Sequence, residues 1–209
     1  MTVSAPQAKP KLLVSRPLRM LAALGAFVLI FGALLGSTTI SSLHSIFAHC
    51  TEKDHIKQTL VGMGFSEGVP GDFAGNMALR LPPAGSIVFA EKSKDMQRLA
   101  IYCYESQKDG AIDAKEQIDA FYDLGIFTGL KGARFKSVIK QDKIDLDGHG
   151  RMVQYLIGTL RDPEDIVYTG ALACLVNGKK VLMVQFMQPS DKPFSLDVVL
   201  DIMRKASSF

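Results

Sequence analysis

The feature that most constrains the fold of this chain is an uncharged segment. From Met20 to Thr51 there are 32 residues without Asp, Glu, Lys or Arg, and Met20–Leu35 is apolar or glycine throughout. Twenty residues of α-helix are about 30 Å long, which is the thickness of the hydrocarbon core of a bilayer. Inside lipid, a single segment can satisfy its backbone hydrogen bonds only as a helix. The sequence therefore predicts one transmembrane helix at residues 20–42.

Basic residues before this segment predict its orientation. Four of them, with no acidic residue among them, lie in residues 1–19: Lys9, Lys11, Arg16 and Arg19. Because Lys and Arg are enriched on the cytoplasmic side, residues 1–19 are predicted to be cytoplasmic. We expect a single-pass, signal-anchored protein of the cell inner membrane with a periplasmic C-terminal domain, or alternatively of the mitochondrial inner membrane. Cleavage of the segment as a signal peptide stays open, although residues 36–42 contain no Ala-x-Ala site.

Glycines within the segment predict contact with other membrane helices. Gly25, Gly32 and Gly36 fall on one helix face, and the last two form a GxxxG pattern that allows close approach of a second helix. The expected partners are the lipid bilayer and the subunits of a membrane complex, with a homo-oligomer as a further possibility. Glycine is also frequent in membrane helices in general, so this interpretation stays open.

The charge of the remaining chain argues against nucleic acid as a partner. Of the 24 Lys and Arg, four precede Glu52, so residues 52–209 contain 20 basic and 21 acidic side chains. This balance lacks the positive potential that nucleic-acid binding requires.

Residue periodicity after the segment indicates a mixed α and β domain. We predict a juxtamembrane helix and linker over residues 43–74 and an extracytoplasmic domain over residues 75–209. Strands are predicted at 77–81, 86–90, 99–104, 152–160, 166–176 and 181–187, helices at 113–124 and 193–207, and 133–144 gives a mixed signal. Asn177-Gly178 predicts a type I′ hairpin turn. The expected fold class is α+β, with the transmembrane helix followed by a mostly antiparallel sheet that has helices packed on its apolar face.

Both ends of this domain show features found together in one known family. A late hairpin at 177–186 leads into a final helix and a closing Ser208-Phe209, and Met77–Pro83 is an apolar strand that ends in Leu-Pro-Pro. In these features residues 75–209 resemble the PsbP/DcrB-type α/β/α sandwich domains. The resemblance implies a non-catalytic extracytoplasmic module that associates with a larger membrane assembly. It implies no site residue.

Two groups of residues contain metal-ligating side chains without the spacing of a known metal site. Residues 142–150 include Asp145, Asp147 and His149, but the glutamate that closes an EF-hand loop is replaced by Gln154. We interpret this stretch as a polar turn. The second group lies near the membrane, and on one continuous helix only its first and last members would align: His44, His49, Cys50 and His55. We predict neither a metal site nor a cofactor.

The three cysteines, Cys50, Cys103 and Cys174, form no CxxC motif. A disulfide between Cys103 and Cys174 is feasible in an oxidising compartment, but their apolar neighbours favour buried free thiols. The sequence leaves this choice open.

A basic run precedes the polar turn, with only Asp142 opposing it: Lys131, Arg134, Lys136, Lys140 and Lys143. It would suit an acidic partner or lipid head groups. The simpler interpretation is the solvated face of a strand and its loop.

No nucleophile, zinc-protease or phosphate-binding motif occurs in the chain. We therefore predict a non-enzyme without catalytic residues. The predicted function is a single-pass membrane-anchored accessory or scaffolding subunit of a larger membrane protein complex. The alternative is a periplasmic ligand- or metal-binding sensor module.

Overall fold

The computed structural model describes residues 49–66, 68, 69, 71–81, 85–106, 110–124, 133–206 and 209. They belong to one unit of the chain, Ala48–Phe209. Its elements are α1 (Lys53–Gly62), β1 (Ala74–Leu81), β2 (Gly85–Lys92), a 3-10 turn (Ser93–Asp95), β3 (Gln97–Glu105), α2 (Ala114–Leu124), β4 (Arg134–Asp145), β5 (Met152–Arg161), β6 (Val167–Asn177), β7 (Lys180–Pro189) and α3 (Asp197–Arg204).

The predicted fold class is wrong. The described part of the chain is a seven-stranded antiparallel sheet with three short α-helices. None of these described helices combines the length and the apolar character that a membrane crossing requires. The predicted transmembrane helix at 20–42, with its glycine face at Gly25, Gly32 and Gly36, lies outside the described residues.

Helices cover both faces of the sheet, where the sequence analysis expected one apolar face. Side chains alternate along β3, so that Leu99 and Ile101 join a core with α1 and α3, whereas Ala100 and Tyr102 join a second core with α2. We call these the α1/α3 face and the α2 face. A sheet covered on both sides needs apolar residues at successive positions, which explains the unbroken buried run from Val181 to Gln188 in β7.

The strand order is β1-β2-β3-β7-β6-β5-β4, and every neighbouring pair is antiparallel. The strands β7 and β6 are therefore interior, and β1 and β4 form the two edges. The hairpin between β6 and β7 places Asn177 opposite Lys180, so that its two-residue loop is Gly178-Lys179. Only Gly178 of these two has a positive φ, 60°. This is the pattern of a type II′ turn. The predicted type I′ turn is therefore wrong, and the loop lies one residue later than the predicted Asn177-Gly178.

Helix α1, which the sequence analysis grouped with a linker, packs against the sheet. Ile56 and Leu60 are buried in the core of the α1/α3 face. Gly75 of β1 allows the close approach, since a Cβ atom there would lie 2.8 Å from Cγ2 of Ile56. The amphipathic pattern of α1 is thus explained by burial against β1 and β2.

A second glycine brings β4 close to β5, and its replacement should weaken the edge of the sheet. A Cβ atom on Gly158 would overlap the Ser137 carbonyl oxygen and lie 3.0 Å from Cδ1 of Phe135. We expect Gly158→Ala to lower the free energy of unfolding by about 1–3 kcal/mol, because backbone cannot move aside as a flexible side chain can. Urea unfolding measures this change.

Gly62→Ala is the matched control, since no atom lies within 4 Å of a Cβ atom at that position. Ala there should be neutral or stabilise the helix by up to about 1 kcal/mol. Equal losses in the two variants would contradict the close contact at Gly158.

Candidate interaction surface

Strand β4 is the most exposed element of the described sheet. It is 12 residues long and pairs only with β5, at the end of the strand order. Every residue of β4 except Phe135 is exposed, on both faces of the sheet. The outward side of β4 therefore presents backbone N–H and C=O groups that no other described strand binds.

Two irregularities in β4 explain its unusual exposure. The pairing with β5 shifts between Phe135 and Ser137 and again between Val138 and Lys140. Such bulges bend a strand and increase its twist, which turns the edge away from the core. From Lys140 to Asp145 the pairing with β5 is continuous. The last half of β4 is thus a regular, open edge.

Exposed apolar side chains concentrate at the end of the sheet formed by β4, β5 and β6. Seven large apolar residues of the described chain are exposed, and five of them lie on β4, β5 or β6: Val138, Ile139, Ile144, Met152 and Val167. Ile139 has the largest exposed fraction, 62%. We call β4 together with Met152 and Val167 the β4 surface. These apolar side chains lie on both faces of this edge, since Val138 and Met152 are on the α2 face and Ile144 and Val167 are on the α1/α3 face.

Three basic side chains of the β4 surface have no acidic partner among the described residues: Arg134, Lys136 and Lys143. Lys140 differs, because its Nζ lies 3.3 Å from Oδ2 of Asp142 and 5.5 Å from the centre of the Tyr155 ring. Contact with the Tyr155 hydroxyl, and next with Asp142, raises the pKa of Lys140. Lys131, the first residue of the predicted basic run, lies outside the described residues.

The predicted polar turn after β4 is held by the carboxylate of Asp145. It accepts the N–H groups of Gly148 at 3.0 Å and of Gly150 at 2.9 Å, and the Gly150 bond is the main cause of its lowered pKa. Arg151 binds Asp147 at 3.3 Å and also reaches the Met203 carbonyl oxygen at the end of α3. Both oxygens of Asp145 thus bind backbone, and His149 is exposed.

The second predicted group, which contains His49, Cys50 and His55, does not lie on one continuous helix. Residues 51 and 52 interrupt the helical conformation before α1 begins at Lys53. This break brings the ring centres of His49 and His55 to within 4.3 Å of each other. Nδ1 of His49 also lies 2.9 Å from Oε2 of Glu52. Burial, followed by the charges of His49 and Arg80, lowers the pKa of His55. His44 lies outside the described residues, and no metal-binding group of three His, Cys, Asp or Glu occurs among those described.

The cysteines are free thiols, and the sheet register explains why Cys103 and Cys174 are not joined. Cys103 lies opposite Leu182 on the α1/α3 face, and Cys174 lies opposite Met183 on the α2 face. The sheet separates the two sulfur atoms. Burial raises the pKa of both thiols, that of Cys174 to about 12. Neither is an activated nucleophile.

Two of the described clefts adjoin the end of α3. One has a volume of about 430 Å³ and a floor that includes Phe73, Val198 and Ile202. The charges at its rim bind one another: Nζ of Lys92 lies 3.7 Å from Oδ2 of Asp72, and Arg204 is paired with Asp201. The cleft has no signal in the local sequence, because its walls come from four separate segments of the chain.

No protein-family model matches this chain, and no curated protein matches its sequence. The resemblance to PsbP/DcrB-type domains therefore stays a prediction. The β4 surface is the described region whose exposure and unpaired charge most need an explanation.

Proposed function

We propose that this protein is a non-catalytic accessory or scaffolding subunit that docks through its β4 surface onto a larger protein complex. The observation that carries this proposal is the exposure of β4 on both faces, with Val138, Ile139 and Ile144 in contact with solvent. Natural proteins usually shorten, cover, bulge or charge an edge strand to prevent unwanted pairing, and β4 has two bulges and six charged residues that act in this way. Its three apolar side chains in water have no such protective role, and a partner that covers them would explain their exposure.

The chemistry of the described residues supports binding more than catalysis. Burial raises the pKa of Cys103 and of Cys174, which keeps both thiols protonated at neutral pH. The Asp145 carboxylate is bound to backbone N–H groups of its own turn. The alternative function, a ligand- or metal-binding sensor module, has no specific observation in its favour.

A membrane is the proposed site of this assembly. The reason is the uncharged apolar sequence Met20–Leu35, preceded by basic residues. This location, on the inner membrane with the domain in the periplasm, stays a prediction from sequence. Fractionation of cells into membrane and soluble material would test it.

A photo-crosslinking amino acid at position 139 should capture the partner. Ile139 is 62% exposed at the centre of the β4 surface, so a bound partner would lie within reach of its side chain. We expect irradiation of intact cells to join the full chain to one discrete protein species, measured by gel mobility and mass spectrometry.

The control is the same amino acid at position 61, where Val61 is 53% exposed on α1. It should give no such species. No crosslink at position 139, or the same species from both positions, would contradict the proposed docking surface.

A further inference from the structure

We propose that the partner binds β4 as an added strand, through an extended segment with an acidic residue beside Lys143 and an adjacent apolar residue beside Ile144. This inference rests on the proposed function and specifies the chemistry of the partner. It concerns the regular part of the edge, Lys140–Asp145, where the pairing with β5 is unbroken.

The backbone of this segment provides the first argument. Lys140–Asp145 pairs with β5 on one side and with no described strand on the other. An extended peptide can bind such an edge through main-chain hydrogen bonds, and its side chains then alternate between the two faces of the sheet. The two bulges lie before Lys140, so they do not interrupt pairing along these six residues.

Side chains on the edge indicate which residues the added strand would have. Lys143 lies opposite Gln154 on the α2 face, and Ile144 lies opposite Val153 on the α1/α3 face. Directly opposite residues share a face and prefer opposite charge or apolar contact. The incoming strand would therefore place an acidic residue beside Lys143 and an adjacent apolar residue beside Ile144. The unpaired charges of Arg134 and Lys136 would attract further acidic residues.

A second copy of this chain fits the same edge poorly. In an antiparallel pair with two-fold symmetry, the residue on the axis lies opposite its own copy. Axes at Lys140, Asp142, Lys143 or Asp145 would put like charges opposite each other. An axis at Gln141 would place Lys140 opposite Asp142 of the other copy, but these two already bind each other within one chain, and it would run Lys143 into the bulge at Ile139. An axis at Ile144 runs past the end of the strand.

The probe for this inference is an end-blocked octapeptide of alternating Glu and Val, added to the full chain in non-ionic detergent. We expect saturable binding by fluorescence anisotropy and slower amide hydrogen exchange within Lys140–Asp145. The double variant Lys136→Glu/Lys143→Glu should bind at least about tenfold more weakly, because the charge pair at Lys143 becomes repulsive and the reversed charge of Lys136 no longer attracts the acidic peptide. The matched control is Lys57→Glu/Lys94→Glu, which reverses two exposed lysines outside β4 and should leave binding unchanged.

Each other outcome overturns the inference. Absence of peptide binding, equal binding of a Lys-Val octapeptide, or protection confined to residues outside β4 would exclude an acidic added strand. A dimer in native mass spectrometry without peptide, together with slower exchange of the same amides, would show that a second copy of this chain occupies the edge. Protection of these amides by anionic lipid vesicles but not by the peptide would identify lipid. A crosslink at position 139 that persists in any of these cases would leave the proposed function standing.

Discussion

Between pH 9 and pH 12, the folded chain is expected to lose about 3 kcal/mol of stability through the Cys174 thiol alone. Burial on the α2 face raises the pKa of Cys174 from 9.0 in its ordinary state to about 12. Below pH 9 the thiol is protonated in both the folded and the unfolded chain, so stability does not depend on it. Above pH 9 only the unfolded chain loses this proton, and stability falls as the pH rises towards 12.

Urea unfolding at a series of pH values, in the presence of a non-thiol reductant, measures this loss. Burial also raises the pKa of Tyr102 and Tyr104, so the wild-type chain should weaken further above pH 10. Cys174→Ala removes only the cysteine contribution. It should lower stability below pH 9 because of the lost side-chain volume, and its stability should fall less steeply above pH 9. Identical slopes for the two proteins would show that the thiol is not buried as described.

Phe186→Ala is expected to destabilise the chain by about 3–5 kcal/mol. Phe186 is fully buried at the centre of β7. Its ring meets that of Phe73 edge-on at 6.2 Å and that of Phe194 at 5.9 Å. It therefore holds the segments that lead into β1 and into α3 against the same face of the sheet. Since small domains have only about 5–15 kcal/mol of stability, this loss is a large fraction of the total.

Two further variants keep this prediction testable if Phe186→Ala fails to fold. Phe186→Leu should cost under about 2 kcal/mol, because most of the apolar volume is kept. Val167→Ala removes an exposed apolar side chain and should change stability by less than about 0.5 kcal/mol. Thermal and urea unfolding would give the order Val167→Ala, Phe186→Leu, Phe186→Ala. A Val167→Ala effect as large as that of Phe186→Ala would contradict the described core.

Local periodicity predicted several elements close to their described bounds. The helical pattern at 113–124 corresponds to α2, Ala114–Leu124, and the apolar run at 166–176 corresponds to β6, Val167–Asn177. Both have a simple local signal, a repeating apolar stripe or a β-branched run bounded by turn residues. The class of fold was not predictable in the same way, because coverage of both sheet faces depends on contacts between distant segments.

The residues of the β4 surface show why the candidate site was only partly predictable. Residues 133–144 gave a mixed signal, and the two bulges after Phe135 and Val138 explain it, since each one shifts the alternation of side chains by one position. Their basic character was visible in the sequence. The exposure of Val138 and Ile139 was not, because composition cannot show that β4 lies at an edge.

Two other arrangements follow from the three-dimensional structure and not from the local sequence. The separation of Cys103 from Cys174 follows from their opposition to the adjacent residues Leu182 and Met183, which point to opposite faces. The contact of His49 with His55 follows from a break in the helix before Lys53. Neither feature has a signal in residue type or spacing.

The most direct test of the central claim, that a partner docks on the β4 surface, combines crosslinking at position 139 with charge reversal. We predict one discrete crosslinked species in the otherwise wild-type chain, and its loss when Lys136→Glu and Lys143→Glu are added. The same species at undiminished yield in the charge-reversed chain, or its formation from position 61 as well, would contradict the account.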